Sequence, residues 1–322
     1  MSRTSVAALA WLAALAPIGP AQAGTWPQRP VRIVLPFAAG GASDVAARIL
    51  AQRFAGALGQ QFVVENRAGA SGVVAAETVA HAAPDGYTLL MVTTGQLSIA
   101  PLLSKTPYDP AKDFVPVSLV GTAPFVLIVH PGIPARTLAE FIDYARARPN
   151  QLTYASSGFG SIGHLSMELF LKRAGLAIAP VMYKGGSEQL NDVIAGHVKV
   201  TMLNLSAALP FAAGDSLRLL AVTSEKRMPQ MPALPTFAEA GFPSLKLSSY
   251  FGLMAPAGTD QEIVGRIAAE TARAVRDPTI AALLVANGIE PAGGGPEGFA
   301  AMIAADSQLW REAIELAGLG RQ

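Results

Sequence analysis

The chain has 322 residues, 51% of them hydrophobic and 15% charged, with 24 Lys and Arg against 23 Asp and Glu and no cysteine. That length and hydrophobicity imply two cored domains and exclude a disordered chain, and near-zero net charge excludes the basic footprint of a nucleic-acid-binding protein. The missing cysteine removes disulfides, thiolate metal sites and a Cys nucleophile, and His81, His130, His164 and His197 are too scattered for a zinc cluster.

In chain order, residues 1–23 read as a secretory signal peptide. Arg3 precedes an uncharged apolar run over 6–16; Pro17, Gly19 and Pro20 break it, and Ala21-Gln22-Ala23 supplies an A-x-A site. The run is too short to span a bilayer, and a cut after Ala23 removes Arg3 and leaves a neutral, exported chain. Strands are expected at 31–35, 62–65 and 87–93, with helices at 43–58 (closed by Gly59) and 73–82 between them. An apolar stretch at 115–129, broken near Gly121 and Pro124, has the length of a segment crossing between domains. A helix at 138–148, a strand at 152–155, a helix at 164–174, a strand at 179–183, a helix at 187–195 and a strand at 217–223 follow. A second crossing candidate at 247–255 leads to two or three helices, the last over Pro296–Leu316.

Short apolar strands alternating with Ala-rich helices give an α/β fold with mixed, mostly parallel sheets. Two crossings predict one domain inserted in the other: 24–124 with 249–322 as one lobe, 125–248 as the second, hinged around a cleft that closes on a ligand. The alternative is a single doubly wound sheet.

Three places repeat a strand, a small-residue loop and a helix start: PFAAGGASD (36–44), YASSGFGSIG (154–163) and MYKGGS (182–187). Glycine lets backbone amides approach a ligand, and a helix start offers unpaired N–H groups with a partial positive charge. Such a place binds an anion without a charged side chain. One such loop alone is equally a turn capped by Ser43, Asp44 or Ser161; three together point to a small anion, a carboxylate, held in a cleft. Lys184 either neutralises that anion or is a solvated loop lysine, and Phe37, Tyr183 and Tyr250 either line a pocket or belong to the core.

Sharper motifs fail. Gly158 to Gly163 spells G-x-G-x-x-G, but about 20 residues on stands Met182-Tyr183-Lys184 where a dinucleotide site needs an acid. No loop carries G-K-[ST], and Ser161 lacks the first glycine of a nucleophile elbow. A hydrolase built on Ser161 and His164 remains a rival reading.

The chain resembles the extracytoplasmic solute receptors of tripartite tricarboxylate transporters, the Bug family. The resemblance rests on Trp26-Pro27, Arg29-Pro30, PFAAGGASD (36–44), VVENRAGASG (63–72), PDGYTLL (84–90), YDPAKDFVPVS (108–118), YASSGFGSIGHLSMELF (154–170), YKGG (183–186), LPTFAEAGFP (234–243) and APAGT (255–259). It implies a periplasmic, monomeric type II binding protein without catalytic activity or cofactor, handing a small carboxylate to membrane permease subunits. A sensory receptor feeding a signalling partner is the alternative role. Carried over, one lobe contributes Phe37, Gly41, Ala42, Ser43 and Asp44. The other contributes Ser156, Ser157, Gly158, Gly160, Ser161 and His164, with Tyr183, Lys184 and Gly185 behind them. Where the family often shows Asp and then Phe-Asp after Gly196-His197-Val198, this chain has Lys199, Met202 and Leu203, and Tyr250 replaces a common Trp. If these positions face the cleft, the loss of acidic groups disfavours an amino-acid ligand, whose ammonium needs a counter-charge.

Overall fold

The computed structural model describes residues 26–37, 39–183, 186–212 and 214–319, so the expected signal peptide, Lys184 and Gly185 lie outside the described residues. The first third of the chain forms β1 (Val31–Leu35), α1 (Ala42–Leu58), β2 (Phe62–Asn66), α2 (Val73–Ala80) and β3 (Thr88–Thr93). A π-helical turn (Gly95–Ile99) and α3 (Ala100–Leu103) lead into β4 (Phe114–Val129). The middle third holds α4 (Leu138–Arg146), β5 (Thr153–Ser156), α5 (Ile162–Ala174), β6 (Ala179–Met182), α6 (Gly186–Ile194), β7 (Val200–Asn204), α7 (Leu205–Ala208) and β8 (Arg218–Val222). Then come β9 (Ser248–Pro256), α8 (Gln261–Arg276), α9 (Pro278–Ala286), β10 (Glu290–Gly294) and α10 (Pro296–Leu316).

The strands form two sheets that share β4, so the single doubly wound sheet is not the arrangement. In the first sheet the order is β2-β1-β3-β9-β4-β10; in the second it is β8-β4-β7-β5-β6. Residues 114–124 of β4 pair with β9, and from Phe125 onward its partners are β7 and β8. The strand therefore runs unbroken where a break was expected. Pro124 is tolerated because its missing N–H falls where β4 changes partners; the register irregularities lie elsewhere, between Pro116 and Gly121 against β9 and between Leu127 and Ile128 against β8.

Side chains alternate between two cores with period two, as pleated strands require. Val31, Ile33 and Leu35 pack under α1 and α8 with Leu50, Phe54 and Ile267, while Val34 faces the opposite core of Leu90, Tyr250 and Phe299. In the second sheet Leu127 and Val129 face α4, α5 and α10, and Val126 and Ile128 face α6. Helices thus cover both faces of each sheet. The last helix, α10, belongs to both halves: Phe299 enters the first sheet's core, and Trp310, Ala313 and Ile314 enter the second's. Among the described residues no helix is long and apolar enough to cross a membrane.

Strand directions bring two sets of loops together. β3 is antiparallel to β9 and β9 to β4, so β1, β2 and β3 run the same way as β4, toward the second sheet. β7 is antiparallel to β4, β5 is parallel to β7 and β6 parallel to β5, so these three run back toward the first sheet. Thr93 at the end of β3 is level, through Phe251, with Gly121 of β4, and Asn204 at the end of β7 is level with Phe125. The two levels lie about four residues apart along β4, roughly 13 Å at ~3.3 Å per residue. The carboxyl ends of six parallel strands therefore converge on one junction, the place where open α/β sheets bind ligands.

Candidate functional site

The loop after β1 reaches the junction first. Gly41 precedes α1 with extended backbone and has no side chain to cap it, so the N–H groups of Ala42, Ser43 and Asp44 precede the first intrahelical bond, from Val45 N–H to Gly41 O. Asp44 is buried, and its carboxylate is occupied by the chain itself. It accepts from Gly40 N–H (3.0 Å), Arg48 Nε (2.9 Å) and Nη2 (3.0 Å), and Asn66 Nδ2 (3.0 Å). Asn66 Nδ2 also donates to Phe37 O at 3.0 Å, so one carboxylate and one amide pin both arms of the loop. Arg48 above all, with Gly40 and Asn66, holds the Asp44 pKa down to about 2. The acid positions the loop's amides, and Arg48 balances its charge.

The loop after β5 is built on the second set of strand ends. Gly158 has φ +127°, a conformation that favours glycine. Ser161 caps α5, its Oγ accepting from His164 N–H (3.2 Å) and lying 3.2 Å from Ser156 Oγ. Ile162 and Gly163 are the helix's first two residues, and their N–H groups have no partner within the helix. Gly163 leaves no room for a side chain, since a Cβ there would lie 2.7 Å from Met202 O. This close approach seats the start of α5 directly on β7.

His164 is buried behind the loop. Its Nδ1 accepts from Gly160 N–H (3.1 Å), which places the proton on Nε2, 4.0 Å from Glu168 Oε1. Burial lowers its pKa and keeps the ring neutral. The ring stacks on Tyr154 (6.3 Å) and meets the tilted ring of Phe159 (5.4 Å). Ser161 Oγ meets the backbone N–H of His164 and not its ring, so the nucleophile–base pair of a hydrolase is not assembled.

Tyr183 N–H donates to Ser156 O (2.8 Å), and its hydroxyl donates to Asp192 Oδ2 (2.6 Å), with burial pushing that hydroxyl up to about 12. Tyr183 thus stands behind the second loop, braced by α6. Phe37 is exposed and Ser157 half-buried at the strand ends. The expected site residues that the structure describes gather in two groups at the junction, one on each sheet.

The four replaced positions do not face it. Met202 and Leu203 are buried in the two cores of the second sheet, and Tyr250 is buried against Phe299 with its hydroxyl 3.0 Å from Ser98 Oγ. Lys199 stands before the start of β7, at the far end from Asn204, with its carbonyl accepting from His130 N–H. These replacements therefore do not disfavour an amino-acid ligand. Sequence reasoning left out Arg48 and Asn66, which organise the first loop. The i,i+4 spacing of Asp44 and Arg48 is the one local signal for them.

Comparison with known proteins follows this geometry. The family described as the tripartite tricarboxylate transporter family receptor matches residues 46–319. The protein BugT of Bordetella pertussis is 36% identical over 301 residues, 93% of this chain and 92% of its own length. Among solved structures, Rpa4515 of R. palustris with adipate aligns with a TM-score of 0.85 at 39% identity, covering 92% of this chain and all of that one. MatC of Rhodopseudomonas palustris with bound malate aligns with a TM-score of 0.79 at 31% identity, covering 90% of this chain and 100% of its own.

Proposed function

Because the chain belongs to the tripartite tricarboxylate transporter receptor family, we propose that it captures one carboxylate group of a small solute between the α1 and α5 loops and delivers it to membrane permease subunits. It is a solute-binding receptor and not an enzyme. In this reading the two sheets are the two lobes, 24–124 with 249–322 and 125–248, and β4 and β9 form the hinge. The protein works as a monomer in the periplasm after its signal peptide is cut behind Ala23.

The observation that carries the reading is the convergence of two helix starts, on opposite sheets, with unclaimed N–H groups. Hydrogen bonds to a charged oxygen contribute about 1.5–3 kcal/mol each, so a few of these donors suffice to hold a carboxylate. The adipate and malate bound to two relatives support a carboxylate as the ligand. The test is the melting temperature of protein unfolded and refolded to strip ligand, against a panel of carboxylates. A ligand at 100 times its Kd adds about 2.7 kcal/mol, which raises the midpoint by several degrees. That rise should vanish for the methyl ester; a panel without any hit would overturn the reading.

Asp44 gives a sharper test. Asp44→Ala frees Gly40 N–H, Arg48 and Asn66 at once, and the loss of a preset loop should weaken carboxylate binding about tenfold or more, ~1.4 kcal/mol. Calorimetric titration of the variant checks this, and unchanged affinity would remove Asp44 from the site's machinery.

A further inference from the structure

Large apolar side chains rarely stand free in water, and on this molecule several of them stand at the junction. Phe37 is 38% exposed, Val74 41%, Phe159 59% and Met182 41%. Phe37 follows β1, Val74 lies on the first turn of α2 beyond β2, Phe159 sits in the loop after β5, and Met182 ends β6. All four are at the carboxyl ends of parallel strands, where the two sheets' loops converge. Single exposed apolar residues need no explanation, but a group gathered around a proposed binding cleft does.

Phe159 is the most exposed of them, and it is not loose. Its ring packs at a tilt against His164, which is itself stacked on the buried Tyr154. The backbone on either side is fixed by Gly158 and by the bond from Gly160 N–H to His164 Nδ1. The ring is held in place with its other side open.

Among the described residues, carboxylates at the same loops are already paired. Asp44 is paired with Arg48, Asp192 accepts from Tyr183 and sits 3.4 Å from His197, and Glu65 is bridged by Arg32 and Arg67. Phe37, Val74, Phe159 and Met182 add an apolar lining beside the pinching amides.

Resting on the receptor reading above, we propose that the ligand is a carboxylate carried on an apolar body, and that Phe159 is the residue that selects that body by stacking against it. An arene is the best fit, because a fixed ring offers another ring an offset-stacked or edge-to-face contact in addition to buried area. Apolar side chains such as Phe159 and Met182 offer no hydrogen bond to the second and third charges of a tricarboxylate.

The experiment is calorimetric titration of the refolded protein with phenylacetate, hexanoate, malate and citrate, repeated on Phe159→Ala, Phe159→Leu and Val63→Ala. Val63 is exposed to a similar degree but lies within β2, so it controls for loss of a surface apolar group. Phenylacetate is expected to bind tightest, to weaken about tenfold in Phe159→Ala and less in Phe159→Leu, and to be unchanged in Val63→Ala. If malate or citrate binds tightest and Phe159→Ala leaves every affinity unchanged, the inference falls while the receptor reading stands. If none of the four acids binds, both fall.

Discussion

Asp306→Asn is expected to stabilise the protein at pH 8 by up to about 4 kcal/mol and to leave its stability nearly unchanged near pH 4. Asp306 lies on α10 between the two cores. Its Oδ1 accepts from Trp310 Nε1 (2.9 Å), and its Oδ2 is buried without a hydrogen-bond partner among the described residues. Burial raises its pKa from 3.8 to about 7, against a smaller downward pull from Ser98, Trp310 and Thr94. The folded chain therefore holds this proton more tightly than the unfolded chain does. Stability is complete below about pH 3.8, falls as the unfolded carboxyl ionises, and has lost its full share once pH passes 7. Asparagine has no such loss. Melting curves of both proteins from pH 4 to 9 should diverge by several degrees at the alkaline end. Glu290, also raised by burial, tilts both curves alike and cancels in the difference. Parallel curves would show that Asp306 does not titrate in this window.

Trp310→Ala is expected to cost about 3–5 kcal/mol and to lower the melting midpoint by roughly ten degrees. Trp310 is fully buried among residues of the second sheet's core, and its indole N–H is the donor to Asp306. Truncation leaves a large cavity and strips the carboxylate of that donor. It also detaches the end of α10 that reaches the second sheet, while Phe299 still anchors the other end. Trp310→Phe should recover most of the packing but not the bond, so it should fall between the wild type and the alanine variant. A loss below 1 kcal/mol in a urea titration of Trp310→Ala would mean that α10 does not hold the second core.

The sequence's periodicity was sufficient for α1 with its Gly59 end, for β1, and for the two long apolar segments that became β4 and β9. Other elements depend on partners far away in the chain. β10 is Glu-Pro-Ala-Gly-Gly, a loop by composition; it is a strand because β4 offers it an edge and Ser118 Oγ donates to Gly294 O at 2.7 Å. β7 was missed because its five residues follow Lys199 without a clear alternation, being buried on both faces. At the site, glycines and helix starts made the loops legible. The work of Asp44 was not, because its partners Arg48 and Asn66 come from a helix face and a strand end that only the fold brings together. The four replaced positions misled for the same reason: an amino-acid identity does not state which core a side chain faces.

The placement of β9 has a consequence for how the chain acquires its shape. This strand lies between β3 and β4 in the first sheet, yet it is separated from β3 by the whole second sheet; the bond from Tyr250 N–H to Thr94 Oγ1 joins residues 156 positions apart. The first sheet cannot close until the last quarter of the chain has been synthesised, and until then β3 and β4 each present a bare edge. Contacts of such long range make folding slow. The second sheet, by contrast, draws all its strands from residues 114–222 and can pair before β9 exists, so the half made first is completed last.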